Sequence, residues 1–124
     1  MATIRAGIAS PPVAVTMAAG LTGNTSSDVV DRGAARGPAA LVITSTAGAT
    51  PTVTVNIVGS VDGTAWFNVA YSLVATPETV AVAAIVITSA VTTTYLLRPN
   101  HAWRYLRVDT TSNTNQTLDI TCYQ

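Results

Sequence analysis

The side chains that could do chemistry are few, and they are scattered along the chain. His101 is the only histidine and Cys122 the only cysteine, which excludes a metal site built from several histidines and any disulfide within the chain. A catalytic pair of these two residues would require a core thiol to reach an imidazole in the turn "RPNHAW". The chain also has no lysine, so phosphate-loop and Schiff-base lysines are excluded. We therefore expect no catalytic residue, no cofactor and no enzymatic activity.

Two carboxylates stand close together in a segment that is rich in glycine and serine. Asp28 and Asp31 are three residues apart, a spacing that could place two oxygen ligands near a cation. The further oxygen ligands that a calcium loop needs are missing at the required spacing. The pattern favours a solvated loop, and we expect no metal site.

The composition indicates a compact domain of unusually low charge. The 124 residues suit one domain, 48% of them are hydrophobic and 10% are charged, against roughly 25% charged in an average globular protein. Six arginines, dispersed along the chain, balance six acidic residues, so we expect no nucleic-acid partner. No apolar run approaches the ~20 residues of a membrane helix, so we expect no membrane partner. Low charge and many β-branched residues leave strand edges open to association.

The pattern of the chain changes near residue 38. Residues 1–38 are rich in Gly, Ala, Ser and Pro and predict an extended N-terminal arm with at most short strands. Residues 39–124 alternate apolar and polar side chains in runs of strand length. The expected fold class is all-β, an antiparallel β-sandwich of the jelly-roll or immunoglobulin-like kind with about seven to eight strands. The candidate strands are 40–44, 52–58, 65–71, 79–88, 93–97, 103–110 and 116–123. The stretch "TPETVAVAAIV" at the fourth of them opens like a helix, with Thr76 as cap and Pro77 at the first helical position, but its Val and Ile content favours a strand.

The stretch "NIVGSVDGTAWFNVAY" predicts a hairpin whose register follows from side-chain parity. Opposed residues of an antiparallel pair share a face, so Ile57 has to oppose an odd-numbered residue of the apolar face that follows. A three-residue loop, 61–63, opposes Ile57 with Phe67 and gives Gly63 the left-handed position of a bulged turn. This register places Phe67 in the apolar layer and turns Trp66 outward, beside Val58.

A second hairpin is predicted between residues 103–110 and 116–123. A register that opposes Val108 with Leu118 also opposes Arg107 with Asp119, whereas the neighbouring register of the same parity brings two aspartates together. The chain would then reverse in a tight turn near residues 112–114. Leu106 and Val108 would share the inner face with Leu118, Ile120 and Cys122.

The aromatic residues that this pattern turns outward are candidates for a contact surface. They are Trp66, Trp103 and Tyr105, and exposed aromatic clusters mark interaction sites. The alternative is that the arm or a long loop covers them, because those segments also have to pack against the domain. The apolar residues of the arm that could extend this interaction surface are Ile4, Ile8, Pro11 and Pro12.

The segments "VTVNIVGSVDGTAWFNVA", "ITSAVTTTYLLRPN" and "AWRYLRVDTTSNTNQTLDITCYQ" together resemble small virion proteins of tailed bacteriophages. The resemblance covers roughly residues 27–124 and consists of strand and turn patterns with no catalytic signature. It implies a capsid decoration or cement protein that oligomerises, as a trimer or another homo-oligomer, and stabilises the head. The implied partners are the major capsid protein and further copies of this chain. The implied location is the capsid surface of the virion, with synthesis in the host cytoplasm.

Two other functions stay open at this point. The pairing of "S-DG--W" with "RYLRV" is similar to discoidin-type sandwiches that bind carbohydrate or lipid, although those are usually longer and often closed by a disulfide. A carbohydrate-binding module would use Trp66, Trp103 or Tyr105 as a stacking platform. A tail or adhesion component of a phage is the other alternative.

Overall fold

The computed structural model describes residues 14–33, 38–98 and 103–124, and within these ranges the chain forms nine β-strands and no helix. The paired strands run antiparallel, which confirms the all-β antiparallel class. None of the described residues forms a helix that could span a membrane. The strands are β1 (Ala14–Leu21), β2 (Val30–Asp31), β3 (Ala39–Ser60), β4 (Phe67–Asn68), β5 (Tyr71–Leu73), β6 (Thr76–Ala81), β7 (Ile85–Ile87), β8 (Thr92–Leu97) and β9 (Tyr105–Tyr123).

The centre of the fold is a ribbon made by the two longest strands. β3 has 22 residues and β9 has 19, and they pair from Ala40 opposite Tyr123 to Ser60 opposite Tyr105. Their sequences are rich in Val, Ile and Thr, whose branched side chains fit a pleated surface. Four of the predicted strands therefore fall in two long ones: 40–44 and 52–58 lie in β3, and 116–123 and all but the first two residues of 103–110 lie in β9.

The predicted hairpin between the two halves of β9 is wrong. Val108 lies opposite Ile57, and Leu118 lies opposite Ser45, so both halves pair with β3. The ribbon is irregular where the turn was expected, because its register shifts between Ala47 and Thr52. Because both halves of β9 pair with β3, the backbone N–H and C=O groups of β3 find partners along most of its length. A hairpin between the two halves of β9 would leave those groups of β3 without these partners.

Three residues with left-handed backbone lie at this irregularity. Thr50, Ser112 and Asn115 have φ angles of 44°, 52° and 56°, a region that non-glycine residues rarely adopt. They lie on both strands of the ribbon between its two regular halves. The chain thus departs from the regular strand geometry here without reversing its direction.

Each half of the ribbon has its own neighbours. β8 pairs with residues 39–44 of β3, and β5 and β6 follow outside it, while β4 and β7 pair with the later part of β3. On the other side, β1 pairs with the last residues of β9 and β2 with its first residues. All nine strands belong to one open sheet, so the fold seen is a single sheet where two separate sheets were expected.

One hydrophobic core joins both halves of the ribbon. Its inward residues keep the predicted alternation, since they are odd-numbered in β3 and even-numbered in β9. Burying each large aliphatic side chain stabilises the fold by roughly 1.5–3 kcal/mol. Predicted inner-face residues on both strands, Cys122 included, are buried, which confirms that part of the register argument. The fully buried aliphatic residues that β3 and β9 contribute to the core cluster are Leu41, Ile43, Val53, Val55, Leu106, Val108, Leu118 and Ile120.

The described part of the predicted arm, residues 14–33, contributes to this core. Met17 of β1 and Val30 of β2 are both buried members of the cluster. The backbone N–H of Ser27 donates to the Val108 carbonyl oxygen at 2.8 Å, and that of Asp28 donates to the Met17 carbonyl oxygen at 2.9 Å. Residues 22–33, which we call the strap, therefore connect β1 with the first half of β9.

The predicted strand 65–71 is replaced by two short pieces, and its register was wrong by two residues. Gly59 lies opposite Phe67, and the Val69 N–H donates to the Ile57 carbonyl oxygen at 2.9 Å. The connection is residues 61–66, longer than the three-residue loop, although the parity was right and Gly63 is left-handed with φ of 81°. The loop is longer because Asp62 organises it, as described below.

The fourth and fifth predicted strands, 79–88 and 93–97, also differ from the expectation in their extent. Residues 79–88 form no continuous strand, because the chain leaves β6 after Ala81 and enters β7 at Ile85. Their strand type, in preference to a helix, is confirmed. The strand 93–97 is confirmed as β8, which begins one residue earlier.

Candidate functional site

The first half of β9 presents a row of polar and aromatic side chains on its outer face. Tyr105, Arg107 and Asp109 alternate there with the buried residues Leu106 and Val108. On β3 the facing residues of this row are Ser60, Val58 and Asn56. The strap borders the row on one side, and the loop 61–66 follows the end of β3 beside it.

The first cluster on this face is centred on Arg107. Its guanidinium carbon lies 4.2 Å from the centroid of the Trp66 ring, within the range of a cation–π interaction. The same guanidinium binds both carboxylate oxygens of Asp109, at 2.7 and 3.0 Å. The Ser26 hydroxyl of the strap donates to the Asp109 carboxylate at 2.7 Å.

The second cluster also consists of an arginine that binds an aspartate and lies close to an aromatic ring, and it is centred on Arg104. Arg104 binds both carboxylate oxygens of Asp31 in the strap, at 2.9 and 3.0 Å, and these contacts raise the pKa of the Arg104 guanidinium. The Arg104 guanidinium carbon lies 5.1 Å from the centroid of the Tyr105 ring. A Cβ placed on Gly63 would lie 3.5 Å from the same ring, so the loop backbone packs against Tyr105.

Asp62 organises the loop between these clusters. Its Oδ1 accepts the backbone N–H groups of Thr64 and Ala65 at 2.8 and 3.0 Å, and the Ser60 hydroxyl at 3.1 Å. These hydrogen bonds, with the one from Thr64 the largest cause, lower the pKa of the Asp62 carboxyl group. The Gly63 N–H donates to the Ser60 hydroxyl at 2.8 Å. An aspartate that accepts bonds from the next residues is a common way to fix a turn.

Trp103 does not lie on the outer face as predicted. A Cβ at Gly59 would stand 2.7 Å from the Trp103 ring and 2.9 Å from a methyl carbon of the core residue Val69. Gly59 belongs to the inward-facing series of β3, so the indole occupies the space that its missing side chain leaves. β9 begins only at Tyr105, and Trp103 therefore escapes the alternation on which the outward prediction depended.

Phe67 also differs from its predicted place in the apolar layer, because 59% of it is exposed. Its ring stacks on the indole of Trp103, with the centroids 6.0 Å apart and the planes at 26°. The indole already fills the end of the core above Gly59, so Phe67 covers the indole from outside.

Of the predicted surface residues, the structure brings Trp66 and Tyr105 to one face. The four arm positions Ile4, Ile8, Pro11 and Pro12, like His101, lie outside the described residues. The sequence argument missed the two pairs of arginine and aspartate. The pairing of Arg107 with Asp109 could have been predicted from the sequence, because residues i and i+2 of a strand share a face. The pairing of Arg104 with Asp31 could not, because it depends on the fold.

The carboxylates and the thiol that the sequence singled out can now be placed in the structure. In the ranges that the structure describes, no group of three or more His, Cys, Asp and Glu could hold a metal ion. Asp31, half of the carboxylate pair noted in the sequence, is engaged by Arg104. Cys122 is fully buried, and burial raises the pKa of its thiol.

Comparisons of the chain with protein-family models, curated proteins and solved structures found no match.

Proposed function

We propose that this chain is a non-enzymatic structural protein of a tailed-bacteriophage virion, a capsid decoration or cement protein that oligomerises and stabilises the head. The observation that carries the proposal is a long segment without charge that exposes apolar side chains. Residues 79–97 contain no charged residue, and Val80, Val82, Val86 and Val91 are all exposed there. Exposed apolar surface of this kind marks protein contacts.

The edges of the sheet favour contacts through side chains over the strand addition that the low charge first suggested. In β5 and β6, Tyr71 lies opposite Ala81 and Leu73 lies opposite Thr76, so the register shifts between the two pairs and β6 is bulged. β1 has two register shifts. Bulged edges resist pairing with other chains.

The fold itself supports a two-layered arrangement as part of this proposal. The strap links Met17, beside the last half of β9, with Val108 in the first half. Inward residues of both halves form one core cluster. We propose that the irregular middle of the ribbon folds the single sheet over into a sandwich of the jelly-roll type, a geometry in which inner faces share a core.

The proposed mechanism is stabilisation by mass action. A protein that binds only the assembled capsid, bridging neighbouring capsid subunits, shifts the equilibrium toward assembly in proportion to its affinity and concentration. The partners are the major capsid protein and other copies of this chain, as a trimer or another homo-oligomer. The residues that carry self-association are the exposed valines of segment 79–97.

A carbohydrate-binding function is less well supported by the geometry of the aromatic residues. Sugar stacking needs an open ring face, but Arg107 lies over Trp66 and Arg104 lies near the Tyr105 ring. Trp103 packs on Gly59. A sugar would have to use the remaining faces or displace these contacts.

Self-association is tested by sedimentation velocity over a range of protein concentrations. We expect the wild-type chain to sediment as an oligomer, and Val82→Asp and Val86→Asp to sediment as monomers, because each places a charge on the segment. Val61→Asp is the matched control, since Val61 is 58% exposed but lies in the loop 61–66. Equal behaviour of all three variants would contradict the assignment of this surface.

The virion role is tested by sedimenting the protein with purified heads and, separately, with purified tails of the phage that encodes it. We expect binding to heads. Binding to tails alone would identify a tail component, and glycan-array binding that Trp66→Ala abolishes would identify the carbohydrate-binding alternative. A chain that stays monomeric and binds no particle would refute the virion proposal.

A further inference from the structure

The strap, residues 22–33, and the loop 61–66 are attached to the same row of side chains on β9. We propose that they form one cooperative unit, in which displacement of the strap loosens the loop and exposes Trp66 and Tyr105. Two chains of contacts that run from strap to loop carry this inference, and it does not depend on the proposed virion role.

The first chain of contacts has three steps. The Ser26 hydroxyl of the strap donates to Asp109 at 2.7 Å, and Asp109 holds Arg107 through two hydrogen bonds at 2.7 and 3.0 Å. Two parallel bonds fix the plane of a guanidinium group. The carbon of that guanidinium lies 4.2 Å from the Trp66 ring centroid. Ser26 is thereby connected, through Asp109 and Arg107, to the last residue of the loop.

The second chain begins at a different strap residue and ends at a different point of the loop. Asp31 holds Arg104 through two hydrogen bonds at 2.9 and 3.0 Å. The Arg104 guanidinium lies 5.1 Å from the Tyr105 ring centre, and Gly63 of the loop packs on that ring. The loop is therefore linked to the strap at both its middle and its end.

The strap has a defined closed position from which it can be displaced. Two hydrogen bonds bind it to β9: the Ser27 N–H donates to the Val108 carbonyl oxygen at 2.8 Å, and the Thr110 N–H donates to the Thr25 carbonyl oxygen at 2.8 Å. A third binds it to the residue before β9, where the Arg32 N–H donates to the Arg104 carbonyl oxygen at 2.7 Å. A segment at the edge of a sheet opens more readily than the central strands. When it opens, Asp109 loses Ser26 and Arg104 loses Asp31.

The forward test is hydrogen exchange of the loop amides in the double variant Ser26→Ala, Asp31→Asn. The reporters are the N–H groups of Gly63, Thr64 and Ala65, which are protected by Ser60 and Asp62. We expect their exchange to be roughly three- to tenfold faster, given the usual strength of partly exposed hydrogen bonds and ion pairs. Exchange in the buried part of β9, around Leu118, serves as the measure of global stability and should change less.

The matched control removes a strap contact outside both chains. Asn24 accepts the Asn113 N–H at 2.9 Å through its side chain, so Asn24→Ala removes a contact at the end of the strap, outside the segment from Ser26 to Asp31 that the two chains of contacts hold in place. We expect unchanged exchange in the loop. Equal acceleration by Asn24→Ala, or no acceleration by the double variant, would overturn the proposal.

The reverse test uses the reciprocity that any energetic coupling requires. Trp66→Ala should therefore accelerate exchange of the strap amides of Ser27 and Arg32, which donate to the Val108 and Arg104 carbonyl oxygens. Val61→Ala, an exposed position of the same loop outside both chains, should not. A purely structural loop would leave the strap amides unchanged in both variants, and that result would overturn the proposal.

Discussion

Replacing Gly59 with alanine tests the packing that places Trp103 at the end of the core. The new Cβ would lie 2.7 and 2.8 Å from two ring carbons of Trp103 and 2.9 Å from a methyl carbon of Val69. Carbon atoms in contact prefer roughly 3.5–4.0 Å, so the indole and the valine each have to move away from the new Cβ by about 0.6–1.3 Å. Gly59 has no positive φ, so its backbone conformation suits alanine and the steric contact is the decisive term.

The expected magnitude follows from two opposing contributions. Overpacking a well-filled core costs roughly 1–3 kcal/mol, while alanine in a strand recovers roughly 0.5–1 kcal/mol of the conformational entropy that glycine loses on folding. Because three contacts of the new Cβ lie below 3.0 Å, the overpacking cost falls in the upper part of its range. We expect Gly59→Ala to lower the free energy of unfolding by about 1–2 kcal/mol, which corresponds to a fall in Tm of about 3–10 °C for a domain of this size.

The assay is urea denaturation followed by circular dichroism, performed as a double-mutant cycle with Trp103→Leu. Without the indole, most of the clash disappears, so Gly59→Ala should cost at least about 1 kcal/mol less in the leucine background. A neutral or stabilising Gly59→Ala in the wild-type chain would refute the reasoning. An equal cost in both backgrounds would show that the indole does not occupy this space.

Two further predictions concern the irregular middle of the ribbon and the buried thiol. Thr50 has a φ of 44°, and left-handed backbone costs a non-glycine residue roughly 1–2 kcal/mol, so Thr50→Gly should stabilise the fold by about 0.5 kcal/mol in urea denaturation after the entropy of glycine is subtracted. Thr52→Gly, without positive φ, should instead destabilise it; equal losses in both variants would contradict the argument. Burial raises the pKa of the Cys122 thiol, so a thiol reagent at pH 8 should label the native protein far more slowly than the protein in urea. Because the unfolded chain releases this proton above about pH 8.5 while the native chain retains it, Cys122 should make the free energy of unfolding fall as pH rises above that value. Labelling at equal rates in both states, or the same fall in a Cys122→Ala variant, would contradict this prediction.

The parity of side chains was predictable from the sequence because it is a local property. Leu106 and Val108 alternate with polar residues in the same phase as Leu118 and Ile120, and all four are buried in one core. The left-handed Gly63 was predictable for a similar reason, since an Asp-Gly step next to an apolar alternation is a strong turn signal.

The strand partners were not predictable in the same way. The register that opposed Val108 with Leu118 and the observed one that opposes it with Ile57 both bring inward-facing apolar residues together. Ladder hydrogen bonds join backbone groups, which are the same in every residue except proline, so the local pattern could not separate a hairpin from a long ribbon. The loop 61–66 was misjudged because the hydrogen bonds of Asp62 extend it beyond the shortest turn that the parity allows.

In the candidate site, too, some features follow from the sequence and others depend on the tertiary structure. The sequence by itself determined that Tyr105, Arg107 and Asp109 share the outer face of a strand, because alternation is fixed by the two-residue period of the backbone. Only the tertiary structure decided that Asp31, 73 residues away, binds Arg104, and that the space above Gly59 draws Trp103 inward. Those contacts depend on which strands lie side by side, and that choice is made by the packing of the whole core.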